Sequence, residues 1–593
     1  MSLMMRCIET YDAMEHLAGK CVNEDRKETL APIGHILANA TIEITVDEEG
    51  NFVRAQNVEK KAVIPCTEES ASRSGTKKTA HPLCDQLGYV SSFYNEEKHK
   101  VYITELRKWV ESKHSSKIIQ AIYKYVTHNS IYEDLLSNGV KIKSEKDFVI
   151  WRVVGFGNES GSVCENENLH KLYQEYYLSN KNDNLDFCMV AGNLAITTTK
   201  HLKGTVSKFG NAKLISSNDN DGFTYKGRFL DGGEACSIGY EASQKAHNAL
   251  KWVLANEGIP LGNRVCVAWN PQGKSIPKIQ LPIAVHCKEA KPEASSYKNE
   301  LRKKVFAYSK SFLMGEQVVI AMFEAATSGR LSVTYYNEMP GISLVKKLEK
   351  WDETTLFKST DRGAFVPSLY KYVAFSYGIY RTKNSNDAGM LEVDEKIQNK
   401  QMQRLIACRI DNKMFPIDIL KRLVINASNL GAYDRNTRNQ ILHTTCSAIR
   451  KYYVDKVQED ISMSLEKEKK NRSYQYGRLL AVLEKIEQDT YDKKDTMRET
   501  NAIRLQQRFV HKPLETSEQI IRKLKQAYYR KLNKSAISHY EKLIEEILCV
   551  ISECEETELD KSLDEMYLVG YYLQKQDFYK KTNDSTDETV ISD

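Results

Sequence analysis

The sequence predicts an α+β protein: strands and helices mix up to about residue 340, and an all-α bundle follows. Three observations carry this. Short alternating apolar runs punctuated by glycine and proline concentrate before residue 341. Beyond Gly341 both punctuating residues thin out and helical periodicity dominates. At 593 residues the chain is too long for one hydrophobic core, so two to four domains are expected.

The elements follow in order. "TIEITV" and "FVRAQNV" alternate on either side of "DEEGN", which predicts a hairpin at 41–58. "KAVIPC" reads as a third strand. Apolar residues from Val101 to Ile119 recur at helical spacing, giving one or two helices between Glu97 and about Tyr125. "FVIWRVV", "AKLISS" (212–217) and "RVCVAW" (264–269) are strand candidates, and "EASQKAHNALKWVLAN" is a helix. "KYYVDKVQEDISMSLEKEKKNRSYQYGRLLAVLEKIEQ" reads as helical nearly throughout, with a break near Asn471. The expected division is 1–340, a helical linking region 341–462 and a helical bundle 463–593, whose tail is disordered from about residue 581.

Composition excludes several classes. With 41% apolar and 28% charged residues, most of the chain should fold. A net charge of +6 is too small to argue for nucleic acid without a local concentration of charge. The thirteen cysteines are scattered, with no Cys-x-x-Cys, as expected of reduced thiols and not of structural zinc. Acidic residues interrupt the N-terminal segment, and "VVIAMF" is too short to span a bilayer, so a soluble cytoplasmic protein is expected.

Catalytic motifs are weak. "VVGFGNESG" spells Gly155, Gly157 and Gly161, close to a dinucleotide fingerprint. The residues that follow carry Glu165 and Glu167, which would oppose a bound pyrophosphate. A plain strand-to-helix loop is the competing reading. "GTKKT" lacks the first glycine of a P-loop, and its run breaks at Pro82. No hydrolase or metalloprotease spacing occurs, so a non-enzymatic protein without cofactor or metal is expected.

Binding is better supported. The 71–90 stretch, "ASRSGTKKTAHPLCDQLGYV", carries Arg73, Ser74, Gly75, Thr76, Lys77, Lys78 and Thr79. Glycine permits close backbone approach, and the hydroxyls and cations suit phosphates or base edges. An exposed polar hairpin tip is the alternative. Residues 498–542 hold eleven Lys/Arg against four Asp/Glu, with Phe509, Tyr528 and Tyr529 interleaved. Arg504, Arg508, Arg522, Lys523, Lys525, Tyr529, Arg530, Lys531 and Lys534 could line a single-strand track, with Arg522, Lys525 and Tyr529 on one helical face. A solvated helical face explains the same run.

Several blocks, in order, resemble the large subunit of type I-C CRISPR interference complexes (Cascade). The 71–90 loop is similar to that family's Arg-x-Ser-Gly segment. "CMVAGNLAITTTKHLKGTVSKFGNAKLISSNDNDGF" (188–223) resembles its most distinctive block. "EASQKAHNALKWVL" and "VCVAW" follow in sequence, then "SGRLSVTYY", "YGRLLAVLEKIEQ" and "LVGYYLQKQ". Tyr335–Tyr336 stand where relatives often carry tryptophan, and the opening loop is more polar than theirs.

The resemblance implies a non-enzymatic subunit of an RNA-guided complex. Such a subunit reads the PAM duplex, helps open it, holds the displaced strand and presents the assembly to a separate helicase-nuclease. Its partners would be the other guide-RNA–protein subunits, double-stranded and displaced single-stranded DNA, and that nuclease, with no membrane involved. The resemblance also suggests that the C-terminal bundle is made separately from an internal start, for which Met463 is the candidate. Two rival readings remain: a nucleotide-binding enzyme built on Gly155–Gly161, and a pure scaffold.

Overall fold

Strands and helices segregate along the chain as the change in composition predicts. The computed structural model describes residues 2–20, 27–73, 78–128, 130–157, 161–181, 185–216, 229, 232–283, 293–313, 315–359, 363–381, 389–491, 498–553 and 560–579. The larger sheets all lie before residue 341, and helices dominate the C-terminal part, so the fold is α+β. The chain forms two compact units, one of residues 1–276 and 316–339, the other of 277–315 and 340–593.

The first unit is built on a long hairpin. β1 (His35–Val46) and β2 (Phe52–Pro65) pair antiparallel from His35↔Pro65 to Val46↔Phe52, with register shifts near Ala40 and Val46. The Asp47 carboxylate shapes the turn by accepting the amides of Glu49 (2.9 Å) and Asn51 (2.8 Å). Gly50 completes it with φ +86°, and a Cβ there would lie 2.7 Å from the Ala121 carbonyl oxygen. "KAVIPC" is therefore not a third strand but the end of β2.

β3 (Val149–Val153) adds parallel to β1, and β4 (Gly161–Ser162) adds antiparallel to β3. Helices Glu96–Val110 and Lys117–Thr127 contribute Trp109, Ile119, Ile122 and Val126 to the core beside this sheet. Trp151 Nε1–H (2.9 Å) and the Tyr102 hydroxyl (2.6 Å) both donate to the Leu83 carbonyl, which ties residues 81–90 to the sheet.

β5 (Leu185–Phe187), β6 (Leu194–Thr198) and β7 (Ile238–Gly239) form a small antiparallel sheet. β8 (Ile259–Leu261), β9 (Arg264–Trp269), β10 (Gln317–Thr327) and β11 (Arg330–Pro340) form the last large one, in the order β11-β10-β9-β8. Helix Tyr240–Glu257 shares a core with β9 and β10 through Ala246, Leu250, Val267 and Val319. "AKLISS" is not a strand: Lys213 makes only isolated bridges, to Lys203 and Arg330.

Among its described residues the second unit is helical apart from the hairpins β12 (Phe357–Ser359)/β13 (Gly363–Phe365) and β14 (Ile379–Arg381)/β15 (Met390–Glu392). Its core includes Asp352 and Arg409, both fully buried and paired at 2.7 Å. Arg409 also donates to the Ile279 (2.9 Å) and Leu281 (2.6 Å) carbonyls, which binds residues 277–283 to this unit. No boundary falls at 462. Helix Arg435–Lys456 shares its core with helix Met566–Phe578, where the Cys446 thiol donates to the Leu568 carbonyl (3.6 Å) and Ser428 bonds Tyr567.

Two of the blocks that carried the resemblance meet in this unit. Helices Arg472–Gln488 and Met566–Phe578 cross at Gly477 and Gly570. A Cβ at Gly477 would lie 1.9 Å from the Tyr567 carbonyl oxygen, and one at Gly570 would lie 2.0 Å from that of Tyr474. Only a hydrogen allows the backbones this close. The long helix expected over 451–488 is two helices. Residues 457–471 are irregular, Gln458 adopts φ +59°, and Asn471 caps the second helix by accepting the Tyr474 amide. Met463 sits half-buried in that irregular connection. The tail expected to be disordered lies outside the described residues.

Candidate nucleic-acid interface

The stem of the 71–90 loop is built around one buried carboxylate. A capping box at Thr67 and Ser70 starts the short helix Glu68–Ala71. The Arg73 guanidinium then grips Asp85 with two bonds, Nη2 to Oδ1 (2.7 Å) and Nη1 to Oδ2 (2.9 Å), and donates to the Thr79 carbonyl at 3.0 Å. Asp85 is wholly buried and also accepts the amides of His81 (2.8 Å) and Gln86 (2.7 Å). The Tyr89 ring lies under the guanidinium at 4.7 Å and under Lys98 at 5.6 Å. Burial works against the Arg73 charge, but the carboxylate outweighs it and holds the arginine pKa above its ordinary value.

Arg73 was expected to reach DNA. Its guanidinium is instead committed to Asp85, so it positions the loop from within. Ser74, Gly75, Thr76 and Lys77 lie outside the described residues. Lys78 is exposed and paired with Glu97, while Thr79 is half-buried with its carbonyl on Arg73.

Sequence reasoning missed what stands beside this stem. The Lys203 ammonium donates to the Arg73 carbonyl at 2.9 Å, and Lys200 pairs with Glu69. Lys203 and Lys213 face each other across an isolated bridge, and Lys213 bridges onward to Arg330. Burial first, and neighbouring cations second, depress the pKa of both: Arg73 acts on Lys203, while Lys203 and Lys200 act on Lys213. An anion here would relieve repulsion among charges the fold already holds together. A signal was present, because residues 187–218 contain four lysines and neither aspartate nor glutamate. The hydrogen bond itself joins residues 130 positions apart.

The described residues of the glycine-rich stretch do not form the strand-to-helix turn of a dinucleotide site. Gly155 and Gly157 take positive φ, the chain turns back to pair as β4, and a Cβ at Gly155 would meet Glu48 at 3.2 Å. It is a return between two strands, not the strand-to-helix loop expected. The helix that follows begins only at Glu167, capped by Asn166.

The basic stretch of the second unit spans several short elements. Helix Pro513–Ala527 buries Ile520 and Leu524 and exposes Arg522, Lys523 and Lys525. Tyr529 begins a 3-10 turn after the helix ends, so it does not share the helical face of Arg522 and Lys525. It is half-buried, while Arg530, Lys531 and Lys534 are exposed. Arg504 is exposed but donates to the Glu499 carbonyl (2.9 Å), and Arg508 pairs with Glu515. Phe509 is buried against Tyr476 at 6.1 Å, and the Tyr528 hydroxyl accepts from Arg498 at 3.4 Å.

Among the described residues there is no group of three metal-ligating side chains, and no helix is long and apolar enough to cross a membrane. The described cysteines are free thiols. These features define an α+β protein in which two half-buried lysines, Lys203 and Lys213, stand beside an ion-paired loop stem. The family model described as CRISPR-associated protein (Cas_Csd1) matches residues 14–579, and the chain belongs to that family. Membership supports a role in CRISPR defence, in agreement with the ordered motifs at that level. A search of curated proteins finds no match.

Proposed function

We propose that the chain is the non-catalytic large subunit of a type I-C RNA-guided interference complex. In this reading it recognises the PAM duplex, promotes opening of the target, holds the displaced strand and recruits the helicase-nuclease. The observation that carries the reading is the hydrogen bond from Lys203 to the Arg73 carbonyl. It joins the 71–90 loop to the block that most distinctively carries the resemblance, with Lys213 alongside. Sequence specificity would come from guide pairing, leaving protein to read the PAM and backbone shape. Lys77 and Lys78 of the loop remain candidate phosphate contacts in this reading, and the exposed cations between Arg522 and Lys534 supply a second binding track for single strand.

The experiment is a titration of guide-loaded complex with PAM-bearing duplex at several salt concentrations. It compares the natural chain with Lys203→Ala/Lys213→Ala and with Lys77→Ala/Lys78→Ala. Every phosphate that is no longer neutralised should reduce the salt slope by about 0.9. Unchanged affinity and slope in both double variants would remove this surface from the reading. Cleavage by the purified chain alone would remove the non-catalytic assignment.

A further inference from the structure

We infer that a tyrosine-walled cavity beside the loop stem takes one unstacked nucleobase carrying an exocyclic amine. The inference rests on the reading above. The cavity, about 430 Å³, is lined at one side by Thr67 and Pro82, which flank the 68–81 segment. That volume falls within the ~300–1,000 Å³ of small-ligand sites.

Its wall is one helix, Glu167–Ser179, which contributes Tyr173, Tyr176 and Tyr177. Spacings of three and four place all three rings on one side of the helix. Trp109 backs them, edge-on to Tyr173 at 4.9 Å and stacked on Tyr176 at 6.0 Å. The Tyr177 hydroxyl is fixed by the Glu68 amide, which donates to it at 3.2 Å. Tyr173 is wholly buried, and its hydroxyl has no hydrogen-bond partner among the described residues.

The rim decides the ligand class. Glu105, Lys108 and Glu111 line the cavity; Lys108 pairs with Glu105 at 2.7 Å, while Arg107 attracts Glu111 at longer range. A phosphate would meet the Glu111 carboxylate, which no side chain of the cavity lining pairs. A base would offer a face to the tyrosines, and the amine of cytosine or adenine would donate to Glu111. Thymine has no such amine. A duplex held at the loop stem would lie next to the cavity, so a base leaving the stack has a short path into it.

The test substitutes 5-iododeoxycytidine at single positions through the PAM duplex. The guide-loaded complex is then irradiated, and crosslinked peptides are identified by mass spectrometry. A crosslink to Tyr176 or Tyr177 from one position is expected. A crosslink on Tyr176 should survive Tyr176→Phe and be lost in Tyr176→Leu, and one on Tyr177 should do the same with Tyr177→Phe and Tyr177→Leu. Glu111→Leu should weaken binding roughly tenfold when that position is cytosine or adenine, and not when it is thymine. Glu111 is exposed, so this variant does not depend on core packing. Duplex that binds with its usual salt slope yet crosslinks only elsewhere overturns the inference and leaves the proposed function standing. Failure of the complex to bind PAM duplex at all overturns both. Binding of spermidine by the free chain, lost in Glu111→Leu, with no crosslink from any position, assigns the cavity to a cation and overturns the inference.

Discussion

The two units hold positive charge in different ways. In the first, Lys203 and Lys213 are half-buried and anchored by backbone bridges, and burial first and neighbouring cations second lower their pKa values. In the second, Arg522, Lys523 and Lys525 stand on the solvated side of a helix whose opposite side packs on the core. Exposed charges are screened within a Debye length of about 8–10 Å at physiological salt, and fixed, partly desolvated ones much less. The difference teaches that counting lysines along a sequence finds surfaces of the second kind only. Surfaces of the first kind depend on what the fold brings together.

The contrast breaks most severely at one tightly constrained contact in each unit. Gly477→Leu pushes a side chain into the Tyr567 carbonyl, and neither helix can retreat without uncovering the core between them. A loss of at least ~4 kcal/mol is expected, beyond an ordinary core substitution. Peptide-level hydrogen exchange should show faster exchange in the second unit while the first keeps its protection. Asp85→Ala is the counterpart in the first unit. It strands the Arg73 guanidinium without its carboxylate and should cost about 3–5 kcal/mol. Exchange should then rise around residues 68–90 while helix Arg472–Gln488 is unchanged. If either variant loosened both units equally, the division into two compact units would be wrong.

Acid separates the units next. The first unit buries His35, His81, His170, His201 and His247, and burial lowers the pKa of every one, to about 4 for His81 and for His170. A histidine with a depressed folded pKa binds its proton more readily when unfolded. The stability it contributes is present above the unfolded pKa of about 6.5 and is lost as pH falls towards 4. At pH 5 the loss is roughly 2 kcal/mol for each of His81 and His170. In the second unit, Arg404 instead holds Asp418 below its ordinary range, so that pair fails only in stronger acid. Urea melts followed by exchange at pH 7, 6 and 5 should show the first unit yielding first. Equal loss in both units would show that these histidines do not govern the acid response.

How much of this was legible beforehand follows from which forces are local. "FVIWRVV", "RVCVAW" and "EASQKAHNALKWVLAN" announced β3, β9 and the helix Tyr240–Glu257, because buried strands and amphipathic helices write their period into consecutive residues. β2 was cut short because its middle, "QNVEKK", is polar and mostly exposed, so alternation lapses while the pairing continues. Residues 457–471 looked helical from their Lys/Glu content, but a positive φ at Gln458 and a cap at Asn471 outweighed propensity. Of the candidate site, the loop itself was legible and its anchoring was not. Arg73 stands among hydroxyls and lysines like a ligand-binding cation, and only the fold reveals its bond to Asp85.

The smallest effect is also the one that sharpens the contrast of charge. Replacing Arg522, Lys523 and Lys525 by glutamine removes three exposed cations and leaves the core intact, so stability should change by less than ~0.5 kcal/mol. If these residues track a flexible single strand, the salt slope for single-stranded DNA should fall by about 0.7 for each phosphate they had neutralised, while PAM-duplex affinity stays the same. The Lys203→Ala/Lys213→Ala variant should do the reverse. Its lysines are fixed before the ligand arrives, and a rigid duplex rewards charges already in place, because less ordering is left to pay for on binding. The crossed result, with each variant affecting its own ligand, follows from the two kinds of surface. A common reduction for both ligands in both variants would mean that net charge alone attracts DNA to this chain.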